Sequence, residues 1–112
     1  MKENRVFDSS VTGRPGDILS TMLRKNSALT RENRVRWFKI GITNSPMKRF
    51  NGHKRHYDVM ILIYRSLSIN YVRDLEWELI EHNREFADNF IGGGGGRGGG
   101  PPYFMYVVVK YW

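Results

Sequence analysis

At 112 residues, 40% of them hydrophobic and including three Trp, six Tyr and six Phe, the chain has room for one compact core and not for two domains, and is not of disordered composition. A formal net charge of +7 points to a polyanionic partner, because basic side chains placed on phosphates release condensed counterions; solubility is the plainer use of the same charge. The absence of cysteine excludes disulfides, thiolate zinc sites and a cysteine nucleophile, and no apolar run approaches the roughly 18 residues that span a membrane.

Residues 1–33 read as a polar N-terminal arm or lid. Thr12-Gly13-Arg14-Pro15-Gly16 has turn chemistry, and Asp17 is the expected N-cap of a short helix, Ile18 to Arg24. Residues 34–112 read as the folded domain. The run Val35 to Thr43 is rich in aromatic and β-branched residues and predicts a strand. Ser45 and Pro46 suit the cap and first turn of a short basic helix, in which Met47 and Phe50 are expected to point inward. Tyr57 to Arg65 contains an almost continuous apolar run that suits a strand covered on both faces. Asn70 is the expected cap of a helix from Tyr71 to about Phe86, with Tyr71, Leu75, Leu79, His82 and Phe86 in its apolar stripe and Val72 and Ile80 nearby.

Gly92 to Gly100, broken only by Arg97, holds no regular element, since each glycine gives up much backbone entropy on ordering. A flexible connector is its simplest role. Gly96-Arg97-Gly98-Gly99 also has the form of an RGG segment that touches single-stranded nucleic acid. A nucleotide-binding loop is excluded by the missing GxxxxGK[ST] pattern. Tyr103 to Trp112 is the last predicted strand. The expected class is α+β, a small central antiparallel sheet flanked by helices.

The segment Phe38-Lys39-Ile40-Gly41-Ile42-Thr43-Asn44-Ser45-Pro46-Met47-Lys48-Arg49-Phe50 resembles the second signature strand and following helix of GIY-YIG nucleases. Lys39-Ile40-Gly41 stands as a KIG form of the YIG triplet, Arg49 falls ten residues after Lys39, and His53 one helical turn after Arg49. Leu75-Glu76-Trp77-Glu78-Leu79-Ile80 resembles the helix that presents the family's metal-binding glutamate, and Asn89 matches an asparagine about a dozen residues further on. The resemblance covers roughly residues 35–90. It implies a divalent-metal-dependent endonuclease that hydrolyses DNA or RNA phosphodiester bonds with Mg²⁺ or Mn²⁺ as cofactor.

The chemistry of phosphodiester hydrolysis gives those residues their roles. A single carboxylate, Glu76, can hold a Mg²⁺ that keeps most of its waters. Arg49 can clamp phosphate oxygens with a bidentate fork, Lys39 adds positive charge, and His53 orients or deprotonates water. Lys48, Lys54, Arg55, Asn89 and Arg97 are the candidate nucleic-acid contacts. The plainer alternative makes Glu76 one charge on a solvated helix face beside Asp74, Glu78 and Glu81, with Glu78 the rival ligand. His56 and His82 read as non-catalytic, and Trp37 and Trp77 as packing residues.

The chain departs from the pattern upstream. Ser27 to Glu32 resemble no GIY strand, and no tyrosine precedes Tyr57. The C-terminal strand offers a replacement: paired antiparallel with 35–43, it would bring in Tyr103 or Tyr106 as the missing hydroxyl, with the glycine tract bridging the gap. Two other functions remain open: a non-catalytic nucleic-acid-binding module on the same fold, and a protein-interaction domain docking on an acidic partner. A soluble protein of cytoplasm or nucleus, with no membrane partner, is expected, and the oligomeric state stays open.

Overall fold

The order of elements is β1 (Val6–Val11), α1 (Pro15–Thr30), β2 (Val35–Thr43), α2 (Pro46–His53), β3 (Val59–Ser66), α3 (Ile69–His82) and β4 (Tyr103–Tyr111). The structure, a computed structural model, describes residues 5–84 and 99–112. Asn89, Arg97, Phe86 and most of the glycine tract therefore lie outside the described residues.

The four strands form one sheet in the order β1-β3-β4-β2. β4 runs antiparallel between β3 and β2, with Gly41 opposite Tyr106 on one side and Leu62 opposite Tyr106 on the other. The predicted antiparallel sheet is thus present in β2, β4 and β3. The sheet as a whole is mixed, because β1 adds a parallel edge against β3. That strand went unread in the sequence because Val6-Phe7-Asp8-Ser9-Ser10-Val11 lacks a sustained apolar pattern, and an edge strand has one side to bury.

Alternation along the strands sorts the core into two layers. Phe38, Ile40, Ile42, Ile61, Ile63, Met105, Val107 and Val109 face α1 and α3, where Met22, Val72, Leu75 and Leu79 meet them. Met60, Leu62, Tyr106 and Val108 face the other way, onto Phe50 of α2 and Tyr57. Each of these fully buried side chains contributes on the order of 1.5–3 kcal/mol of transfer free energy. Among the described residues no helix is long and apolar enough to cross a membrane.

The helix starts differ from the sequence expectation in instructive ways. α1 begins at Pro15, with Arg14 at the N-cap position, and extends to Thr30 rather than Arg24. Pro15 supplies the fixed φ of a first helical residue, and Asp17 sits inside the first turn, where its charge complements the helix dipole. Ser68, not Asn70, caps α3, its hydroxyl accepting from the Tyr71 amide at 3.3 Å. Phe50 is fully buried as expected, but Met47 is 43% exposed, because α2 is short and only one of its turns lies against the sheet. Trp77 and Trp37, read as packing residues, are also exposed.

The stripe on α3 is rotated from the predicted one. Tyr71 and His82 are exposed, and the buried set is Val72, Leu75, Glu76, Leu79 and Ile80. Those positions follow the spacing of three and four that one helix face requires. Glu76 therefore belongs to the packed face of α3, not to the solvated one.

Candidate active site

Gly41 fixes the position of Tyr106. The two residues are directly opposed across the β2–β4 ladder, and the Tyr106 ring folds over the glycine, so that a Cβ on residue 41 would overlap the phenol oxygen. Glycine is the one residue that admits this close approach. Tyr106 lies on the sheet face that α2 covers, and the alternation of β2 puts Lys39 on that face too. Tyr103 is odd-numbered in the same strand and packs on the opposite face, against the larger core. Of the two tyrosines proposed from the sequence, only Tyr106 joins the α2 side.

α2 brings in the next two groups. Arg49 and His53 are four residues apart and share a helix face. The His53 Nε2 and the Tyr106 hydroxyl are 2.9 Å apart, and the positive charge of Arg49 acts on the same phenol. The edge of the His53 ring meets Tyr57, with centroids 5.7 Å apart, so the imidazole is held between two tyrosines. Burial, with the charges of Lys39, Arg49 and His56 around it, lowers the His53 pKa to about 4. The ring is therefore neutral at pH 7, and in the tautomer with its proton on Nδ1 it accepts from the Tyr106 hydroxyl. Burial pushes the phenol up to about 12, against the opposing pull of Arg49. Tyr106 is thus protonated in the resting site.

Glu76 comes from α3, in the other layer. It is 6% exposed, and its Oε2 is buried without a hydrogen-bond partner. Burial raises its pKa to about 7, although the charges of Arg73 and Lys39 act in the opposite sense. The Lys39 charge reaches both Glu76 and His53, and the Glu76 charge reaches Tyr106, so the four side chains and Arg49 share one field. A buried carboxylate oxygen with no donor is costly and needs either a proton or a cation. That chemistry fits a divalent metal ligand. Among the described residues no group of three or more His, Asp or Glu side chains could hold a metal. A cation here would rest on a single carboxylate and retain its waters, as Mg²⁺ commonly does.

The remaining predicted residues fall around this centre. Lys48, Lys54, Arg55 and His56 are exposed on and just after α2. Glu78 is directed elsewhere on α3, where its carboxylate lies 3.9 Å from His82. Two neighbours were not singled out from the sequence. Arg73, three residues before Glu76 and thus on an adjacent part of the helix, was legible from spacing. Tyr57, four residues after His53 and hydrogen-bonded to its carbonyl through the backbone amide, was legible from spacing too. No family model, curated protein or solved structure matches the chain.

Proposed function

We propose that the chain is a divalent-metal-dependent endonuclease that hydrolyses DNA or RNA phosphodiester bonds at the Tyr106–His53–Arg49 cluster, with Glu76 as the metal ligand. The observation that carries this reading is the His53–Tyr106 pair itself: a half-buried histidine meets a buried phenol at 2.9 Å, the charges of Arg49 and Lys39 bear on the pair, and α3 supplies a buried, unpartnered carboxylate. A bound Mg²⁺ or Mn²⁺ would supply Lewis-acid stabilisation of the charge that develops on the phosphate.

The protein's own groups do the rest. Arg49 offers a planar fork to two phosphate oxygens, and Lys39 adds a point charge beside it. Tyr106 takes a proton from the attacking water as its own proton passes to His53 Nε2. In the resting site His53 is a poor base chiefly because it is buried, and the positive charges of Lys39 and Arg49 weaken it further. A phosphate paired with those two cations neutralises them and recovers that share of the imidazole's basicity, so the proton relay strengthens when substrate is bound.

The test is nicking of supercoiled plasmid, and cleavage of structured RNA, with Mg²⁺ or Mn²⁺, comparing wild type with Glu76→Gln. The expected result is metal-dependent cleavage that Glu76→Gln abolishes while nucleic-acid binding is retained. Tight, salt-sensitive binding with no cleavage by either protein would instead favour a non-catalytic binding module.

A further inference from the structure

The far end of β2 carries a cluster that cleavage does not use. Trp37 is 37% exposed and Trp112 is 80% exposed. The guanidinium of Arg36 lies 4.3 Å from the Trp37 ring centre and 5.0 Å from that of Trp112. Arg34 stands beside them, 5.6 Å from the Tyr111 ring, and its carbonyl accepts from the Trp112 amide at 2.9 Å. Single exposed aromatics are ordinary on protein surfaces. Two exposed indoles gathered about one guanidinium make an apolar surface with a positive charge at its centre, while the neighbouring Arg34 is paired with Glu32 at 2.8 Å.

The cluster is also aligned with the catalytic trio. Phe38, Ile40 and Ile42 point to the larger core, so Trp37, Lys39 and Gly41 lie along the opposite face. The Trp37 indole nitrogen lies 3.5 Å from the His56 carbonyl, just beyond α2, which agrees with that orientation. Four residues of strand separate Trp37 from Gly41, or about 13 Å, with Lys39 midway. β2 is an edge strand of the sheet. A nucleic-acid backbone leaving the phosphate site over Lys39 would carry its next bases towards the indoles.

We infer that Trp37, Arg36 and Trp112 form a stacking platform for an unpaired base of the strand held in the catalytic cluster. The inference rests on the nucleic-acid reading above and adds to it a substrate class: single-stranded or frayed strands rather than intact duplex. Every base offers a π-face to an indole, and the guanidinium adds cation–π attraction, so the recognition is tolerant of sequence. Bases inside a duplex are already stacked and cannot use the platform.

The experiment is a titration of intrinsic fluorescence with a short oligothymidylate and, separately, with a matched duplex. A Trp77→Phe background leaves Trp37 and Trp112 as the reporters. The expected results are quenching by the oligothymidylate, a roughly tenfold weaker affinity in Trp37→Ala, and largely retained affinity in Trp37→Phe. Duplex affinity should not change. Unaltered oligothymidylate binding by Trp37→Ala overturns the inference, as does an equal loss on duplex, or no binding by the wild-type indoles at all. Running the cleavage assay on the same proteins separates the two proposals. Trp37-dependent binding without any cleavage retains the platform and removes the nuclease, whereas cleavage without Trp37 dependence does the reverse.

Discussion

Glu76 carries opposite obligations in folding and in the proposed chemistry. Its carboxyl titrates at about 7 in the folded protein and near 4.5 when exposed. Below pH 4.5 it is neutral in both states. As pH rises the unfolded chain gives up the proton first, so the stability associated with the protonated carboxyl declines and is lost as pH passes through about 7. His53 works in the other direction: its depressed value, about 4 against 6.5, costs stability only as pH falls below 6.5. Glu76→Gln, which cannot ionise, should therefore raise the melting temperature at pH 8 by roughly 5–10 °C, corresponding to about 1–2 kcal/mol after allowance for solvent screening, and leave it almost unchanged at pH 5. Mg²⁺ at pH 8 should stabilise the wild type and not the variant. Equal melting temperatures at pH 8, with no response to Mg²⁺, would remove the case for a strained, cation-seeking carboxylate. The identity of Glu76 was legible in the sequence from the Leu-Glu step before Leu79-Ile80. Its burial was not, because a stripe counted from Tyr71 and one counted from Val72 have the same period and differ only in phase.

At the scale of elements, legibility tracked how completely each segment is buried. β2, β3 and β4 are apolar over most of their length and stood out from the sequence, and the β2–β4 antiparallel pairing, expected only from the family resemblance, is present. β1 did not stand out, and α1 was legible only as the shorter helix Ile18 to Arg24. β1 turns only Val6 and Val11 inward, and in α1 the apolar run of Ile18, Leu19, Met22 and Leu23 gives way to the buried polar Asn26 and Thr30, so the pattern is dilute beyond Arg24. Yet the segment read as an arm supplies a strand of the sheet and a helix whose Met22 is fully buried. Met22→Ala should thus destabilise the protein by about 2–5 kcal/mol, measured by urea unfolding. A loss below about 0.5 kcal/mol, the scale of a surface substitution, would show that the N-terminal segment is not part of the cooperative core.

For the whole molecule, the decisive feature is that groups far apart in the chain converge. Lys39 and Gly41 come from β2, Arg49 and His53 from α2, Glu76 from α3, and Tyr106 from a strand that follows them all. Because β4 lies between β2 and β3, the last strand in sequence is central in space and can place its phenol over Gly41. No spacing rule in the sequence distinguishes Tyr106 from Tyr103; the three-residue offset between them reverses the face, and only the register with Gly41 decides. The net charge of +7 agrees with the proposed nucleic-acid partner without identifying the site. The most direct test of this convergence is the single-turnover cleavage rate of Tyr106→Phe at saturating Mg²⁺, compared with wild type on the same plasmid. A fall of about 100-fold or more, with substrate affinity maintained, is the predicted result, since the phenol's proton transfer is lost and the ring remains. An unchanged rate would contradict the account, because the C-terminal strand would then only complete the sheet.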